Sequence, residues 1–289
     1  MKRAVIFAHY DKDNLVDDYV VYYLQALRKI ANTIVFVSCN DLSEKERLKT
    51  GADIIIAEPH REYDFGSYKR GVLALNTDDY DEIIFANDSC YGPLYSLEPI
   101  FEQMSNKTDF WGITCNKWFD SKVRPHIQSY FLVFGKKVFG ELAGFLNSVK
   151  EEPEKKAVIE KYEIGLSEYL HAHGFSSDAA VKLYRNSFNA AIIHWRQILT
   201  QTPFVKCSVL RGINRVFCDI RDWEKSIPSG YPSELIKKNI ERTGFRSQRT
   251  RPWLTPKIYY EIIKILPAPV VYFWARGYNF LRKRIRCVL

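Results

Sequence analysis

Four short apolar runs, at residues 4–8, 33–39, 52–57 and 81–86, alternate with stretches of helical periodicity, and this alternation leaves few folds open to the chain. Each run is continuous, as in Ile83-Ile84-Phe85-Ala86, which suits a strand covered on both faces. After the first run Asn14 reads as a helix cap with Asp17 and Asp18 in the first turn, at the positive end of the helix dipole. Leu15, Tyr19, Tyr23 and Leu27, joined by Val16, Val20 and Leu24, then form a wide apolar stripe. Ser43-x-x-Glu46 opens a short helix over 43–50 as a capping box, and another helix is expected over 66–75. Such alternation predicts an α/β fold: a Rossmann-like, mostly parallel central sheet with right-handed crossovers, flanked by helices.

Beyond Pro93 the rhythm changes. Strands are expected over 108–114 and 128–134, with the polar segment 115–127 between them as a loop or small insert over the site. Helices are expected over 143–149, over 154–173 with Gly174 ending it, over 188–201 and over 234–242. The whole of 1–245 reads as one elaborate domain, with 246–289 as an appendage and 253–256 as the hinge into it.

The excess of positive charge belongs to that appendage. The chain carries a formal +8, and from Arg246 onward ten Lys or Arg face a single acid, Glu261. The same segment is rich in Ile, Tyr, Phe and Trp, but Pro267, Pro269, Glu261 and Lys264 interrupt it, so no clean run of about 18 apolar residues spans a bilayer. A helical amphipathic element lying on a membrane surface, with Arg282-Lys283-Arg284 against anionic lipid heads, is the favoured reading. A C-terminal helix packed on the domain with solvated cations is the alternative. No nucleic-acid motif accompanies the charge, so nucleic acid is not expected as a partner. Six scattered cysteines without CxxC spacing predict free thiols in a reducing compartment, and charge at Asp11 to Asp13 cuts off a signal-peptide core. The expectation is therefore a cytoplasmic protein, peripheral at the inner face of the cell membrane.

Chemistry-bearing residues cluster where the strands are expected to end, the edge at which parallel sheets bind ligands. Asn87, Asp88 and Ser89 follow the fourth run and offer oxygens for a divalent cation, Mg2+ or Mn2+, or for sugar hydroxyls, although such residues also serve as backbone caps in turns. Asp64-Phe65-Gly66 reads as a turn into a helix whose first turn carries Lys69 and Arg70, a place for a phosphorylated ligand. His9 and Tyr10 leave the first strand and Asn40 the second at the same edge; Tyr10 is placed to stack on a base and Asn40 to hydrogen-bond it. Glu163 heads an acidic helical segment from which a carboxylate facing the cleft would deprotonate an acceptor hydroxyl. His194, after an apolar run, reads as a metal ligand or phosphate contact, or as a satisfied core histidine. Lys206 is a further cation of unknown direction. No P-loop, GxGxxG, GxSxG or HExxH is present, which removes the common nucleotide-hydrolysing, dinucleotide-binding and hydrolase readings.

In order along the chain, AVIFAHYD, NLVDDYVVYYLQALRK, DFGSYKRG, DEIIFANDSCYGPL, HIQSYFLVF, YEIGLSEYLHAHGF and HWRQILTQTPFVK resemble the rhamnan synthesis protein F family of bacterial polysaccharide glycosyltransferases, over residues 1–210. The resemblance implies an A-type glycosyltransferase fold in which 1–93 holds the nucleotide sugar and 94–245 the acceptor. It further implies a donor such as dTDP-rhamnose, an inverting displacement, and a polyprenyl-linked glycan acceptor in O-antigen or capsule assembly. A-type transferases carry an Asp-x-Asp metal motif after the fourth strand, where this chain has Asn87-Asp88-Ser89, so metal use is implied less strongly than the fold. Their acceptor-side motif places the catalytic base at Glu163, with Tyr162 in place of the preceding acid and Leu166 and Gly174-Phe175 at the matching spacing. Transfer of another sugar or of a sugar phosphate, and a non-catalytic subunit of a synthesis complex, are the competing readings.

Overall fold

Residues 1–119, 122–183, 189–213 and 220–245 are described by a computed structural model of the chain. The four apolar runs form β1 (Arg3–His9), β2 (Thr33–Ser38), β3 (Ile54–Ala57) and β4 (Glu82–Asn87), connected by helices α1 (Asp18–Arg28), α2 (Glu44–Lys49) and α3 (Tyr63–Leu73). All four strands pair in parallel, with Ala4 facing Thr33 on one side and Ile83 on the other. The chain continues through β5 (Cys90–Tyr91), α4 (Glu98–Met104), β6 (Phe110–Gly112), β7 (Cys115–Phe119), β8 (Lys122–Ile127), β9 (Phe131–Gly135) and α5 (Phe139–Asn147). A bent helix follows: α6 (Lys155–Val158) passes through a π turn (Ile159–Ile164) into α7 (Gly165–Ala172). Last come β10 (Ser177–Ala179), α8 (Ala190–Ile193), α9 (Trp195–Ile198), β11 (Val205–Lys206), α10 (Cys207–Leu210) and α11 (Glu234–Arg242).

The seven-stranded central sheet has the order β10-β6-β9-β4-β1-β2-β3. Only β9 runs against its neighbours, so the sheet is mostly parallel with helices on both faces. Alternation along the buried strands builds two cores. Phe7, Ile84 and Phe131 meet Tyr19, Tyr23 and Leu27 of α1 on one face; Ile6, Phe85 and Phe134 meet Phe65, Tyr68 and Val72 of α3 on the other. Gly71 lets α3 press onto β1, since a Cβ there would overlap Ile6. Phe85 is fully buried between Tyr68, at 4.2 Å between centroids, and Phe134, at 4.9 Å; emptying that position costs about 3–5 kcal/mol.

Several boundaries differ from the sequence expectation. α1 begins at Asp18 and Asn14 sits before it in a left-handed turn at φ 59°, because the side chain of Asp11 already collects the N–H groups of Asp13 and Leu15. Ser43 does cap α2, but Glu46 turns away from the box to accept the Val16 N–H at 2.7 Å. The segment 115–127, expected as a loop or small insert, includes an antiparallel hairpin of β7 and β8 with an irregular register. The expected helix at 188–201 is broken at His194 into α8 and α9. Gly174, at φ 86°, follows α7 as expected. The hinge at 253–256 and the basic segment lie outside the described residues.

Candidate active site

β1, β2 and β4 end together, and the polar residues that follow are held by a dense set of backbone contacts. The Asp88 carbonyl accepts from the Tyr19 hydroxyl at 2.9 Å and the Cys207 thiol at 3.4 Å, while the Cys207 N–H donates to the Ser89 carbonyl at 2.8 Å. One Asp88 carboxylate oxygen accepts the Tyr10 N–H at 2.8 Å. Asn87, buried, donates from its amide to Asp64 at 2.8 Å and accepts the N–H of Ser89 at 3.1 Å and its hydroxyl at 2.5 Å. The Asn87-Asp88-Ser89 turn therefore serves both as a cap and as a mount for two carboxylates, Asp64 and Asp88.

Burial pushes the Asp88 carboxyl up to about 7; the Tyr10 N–H opposes this and the charge of Asp64 adds to it. Asp64 is raised as well, first by burial, with Lys155 and Lys206 pulling it back and Glu163 pushing it further. Asp64, Asp88 and Glu163 all act electrostatically on the Tyr68 hydroxyl, which donates to the Ser129 carbonyl at 3.0 Å. The sheet edge thus gathers acidic groups in a partly buried place that favours their protonated forms.

Glu163 lies in the π turn, which shifts the helical register between α6 and α7. Its Oε2 accepts from the Ser129 N–H at 2.8 Å and the Ser129 hydroxyl at 2.6 Å, and its Oε1 stands 3.9 Å from His126 Nε2. Arg124, on the same strand as His126, donates to Glu168 at 2.8 Å and Glu160 at 3.0 Å, pinning the β7–β8 hairpin on both sides of the Glu163 turn. Lys206, paired with Cys90 of β5 and held 4.0 Å above the ring of Tyr130, lies near enough to Asp64 to lower its proton affinity, as does Lys155.

Other expected site residues are placed differently. Lys69 and Arg70 do not open their helix, since α3 starts at Tyr63 and places them in its second turn, where both have other partners. Lys69 donates to the carbonyls of Asn147 and Val149 at 3.3 and 3.4 Å, and Arg70 pairs with Glu58 and Glu62. Gly66 is buried inside α3, where a Cβ would stand 2.5 Å from that of Glu62 and 3.0 Å from the ring of His60, so its lack of a side chain serves packing. His9 is buried at 3 % exposure beside Phe36, with Nδ1 3.2 Å from the Ser38 hydroxyl; burial holds it down to about 4, so it is a neutral support beneath the edge. Asn40 spends its amide on the Asp11 carbonyl at 2.5 Å, whereas the Tyr10 ring is 59 % exposed at the edge. His194 is 4 % exposed between α8 and α9, and among the described residues no three His, Cys, Asp or Glu side chains converge as a metal site.

Sequence reasoning left Lys206 without a direction and did not single out Ser129 or Arg124. No periodic signal could have directed Lys206, because its strand, β11, is two residues long. A separate cavity of 430 Å³, lined by residues including Asp81, Glu82, Trp111 and Lys136, opens at the other edge, where β4 begins.

The chain is 24 % identical over 281 residues to the virulence protein VirA of Vibrio anguillarum, covering 92 % of this chain and 85 % of that protein. Among solved structures, a protein assigned as a nucleotide-diphospho-sugar transferase from Desulfovibrio desulfuricans aligns at 14 % identity and a TM-score of 0.45, over 84 % of this chain and 98 % of that one. A glycosyltransferase involved in the glycosylation of the major capsid of PBCV-1 aligns at 9 % identity and a TM-score of 0.44, over 84 % and 100 %. The profile of rhamnan synthesis protein F matches residues 34–263, most of the chain and every strand of the central sheet but β1, and the chain therefore belongs to the rhamnan synthesis protein F family.

Proposed function

We propose that this protein is a glycosyltransferase of polysaccharide assembly that moves rhamnose from dTDP-rhamnose to a polyprenyl-linked glycan with inversion. The observation that carries the reading is that Asp64, Asp88 and Glu163 all act on the buried Tyr68 hydroxyl, with Lys155 and Lys206 acting on Asp64, at the edge where parallel strands end in a chain of this family.

Glu163 acts as the general base. With Oε2 fixed by Ser129, its carboxylate takes the proton of an acceptor hydroxyl, and that oxygen attacks the anomeric carbon opposite the bond to the diphosphate. The carbon–oxygen bond to the diphosphate breaks as the new one forms, and the electron pair leaves with the nucleoside diphosphate. Lys206, held over Tyr130, stands against the charge that grows there, and the exposed Tyr10 ring stacks on the base. Asp88 and Asp64 fit a Mg2+ or Mn2+ ion, because two desolvated carboxylates with raised proton affinity gain from a cation and hard ions complete such a set with phosphate oxygens and water. That ion, when bound, supplies charge neutralisation for the leaving diphosphate.

The deciding experiment measures diphosphate release from a panel of nucleoside-diphosphate sugars with a polyprenyl-linked acceptor. Transfer is expected with dTDP-rhamnose, with kcat falling about 10²–10⁴-fold in Glu163→Gln at unchanged thermal stability. Transfer undiminished in that variant removes the base assignment, and no turnover of any donor by the wild type leaves the non-catalytic subunit.

Among the described residues no helix is long and apolar enough to cross a membrane. The basic aromatic segment 246–289 is proposed to hold the protein against the inner membrane face, beside the lipid-linked acceptor. Co-sedimentation with anionic vesicles is expected for the full chain and lost on deleting residues 256–289; retention after the deletion refutes the anchor.

A further inference from the structure

The loop that carries Tyr10 is gripped from the far end of the described chain. Arg242, the last residue of α11, donates from Nε to Asp17 at 2.8 Å, from Nη2 to the other Asp17 oxygen at 2.6 Å, from Nη1 to Asp13 at 2.9 Å, and from Nη2 to Asp11. Asn239, one turn earlier, adds a bond to Asp17 at 2.5 Å and is itself fixed by Tyr91 at 2.6 Å and Arg211 at 2.8 Å. Three carboxylates in one loop repel one another, and a planar guanidinium with five forked donors can satisfy them together. Asp11 shapes the loop in turn: one of its oxygens accepts the N–H groups of Asp13 and Leu15 at 2.9 and 3.2 Å. Its carbonyl takes Asn40 at 2.5 Å. The residue immediately before Asp11 is Tyr10, whose N–H sits 2.8 Å from Asp88.

We propose that Arg242 is a positioning residue of the donor site: by gathering Asp11, Asp13 and Asp17 it sets the Tyr10 N–H against the Asp88 carboxylate and the Tyr10 ring at the sheet edge. The proposal rests on the reading of Asp88 and Tyr10 as donor-side groups. α11 is then a buckle that closes the first strand-to-helix loop over a site most of whose residues come from elsewhere. The physical reason for the long reach is that this loop is acidic, while the other partners of Asp11, the N–H groups of Asp13 and Leu15 within the loop and the Asn40 side chain, are neutral amides.

The test uses the full chain as Arg242→Ala and Arg242→Lys, with Arg3→Ala as the control, since Arg3 loses an ion pair of similar burial, to Glu82, at the opposite end of β1 and β4. Amide exchange at Tyr10, followed by NMR, reports the strap without reference to activity. Exchange is expected to quicken at least about tenfold in Arg242→Ala, to recover in part in Arg242→Lys, and to stay at the wild-type rate in Arg3→Ala. The donor KM is expected to rise about tenfold in Arg242→Ala with a smaller change in kcat. Wild-type exchange at Tyr10 in Arg242→Ala overturns the proposal. Quickened exchange with no donor turnover even in the wild type keeps the strap and removes the glycosyltransferase reading instead. Should Arg242→Ala fail to fold, Asp17→Asn, which takes one partner from the fork and keeps its shape, is read in the same way.

Discussion

β1 and β4 lie side by side for nearly their whole length, yet their two ends are chemically unlike. Where they begin, Arg3 meets Glu82 at 2.5 Å, the Lys2 N–H donates to the Asp81 carboxylate at 2.6 Å, and Lys136 reaches the Asp78 carbonyl at 2.8 Å. Where they finish, Asp64 receives the Asn87 amide and Asp88 the Tyr10 backbone N–H, and burial holds both above the usual carboxylate range, with the charge of Glu163 adding to it at Asp64 and that of Asp64 at Asp88. The same two strands therefore carry a satisfied edge and an unsatisfied one. Incompletely neutralised, desolvated acids lower stability, and they persist where a ligand completes them.

Asp88→Asn separates the two edges most sharply. Donor turnover is expected to fall by about 100-fold or more, as for loss of a group that organises transition-state charge. The stability of the protein without ligand is expected to move the other way. The folded-state value of about 7 lies above the unfolded value of 3.8, so folding favours the protonated acid. The contribution is present in full below pH 3.8 and is lost as pH rises to 7. Asn removes that loss, so the variant should melt higher than the wild type at pH 8, with the advantage shrinking toward pH 4. A melting temperature lower than the wild type at pH 8 contradicts the electrostatic account of this edge. Buried His9 has the opposite sign: its value near 4 gives stability that is present above 6.5 and lost as pH falls toward 4. The melting comparison is therefore made against the wild type at each pH.

Arg3→Ala probes the other edge with a smaller effect. Its ion pair with Glu82 is mostly shielded, with side-chain exposures of 19 % and 13 %, and removing one partner is expected to cost about 1–3 kcal/mol, read by denaturant unfolding, with donor turnover unchanged. A loss of turnover beyond the loss of folded protein breaks the division between a stabilising edge and a working edge.

The parallel half of the sheet was legible because strands buried on both faces must be continuously apolar, and residues 4–8, 33–39, 52–57 and 81–86 have no competing helical pattern. The helix at 234–242 was legible to the residue. The β7–β8 hairpin was not: four of the six residues of β8, Lys122, Val123, Arg124 and Pro125, are wholly or partly exposed, so no alternation of polarity marks a strand. β5 and β11 are two residues long, below any periodic signal, yet their pairing brings Lys206 to the site.

The site divided in the same way. Asp64, Asn87, Asp88 and Glu163 could be named as candidates from residue type and from resemblance, since polar groups after apolar strands are exceptional in composition alone. Which cation faces them could not. Lys69 and Arg70 stand close in sequence to Asp64 but are spent on the carbonyls of Asn147 and Val149 and on Glu58 and Glu62, while Lys206 is distant in sequence yet near enough to Asp64 to act on its charge.

The amino-acid sequence by itself determined the class of fold, the order of the first four strands in the chain, and the edge at which polar residues gather, because hydrophobic periodicity and the loss of it are local properties. Tertiary structure alone decided the direction of each charge, the anchoring of Glu163 by Ser129, and the grip of Arg242 on Asp11, Asp13 and Asp17. These depend on desolvation and on partners up to 231 positions apart, and neither exists until the chain has closed on itself.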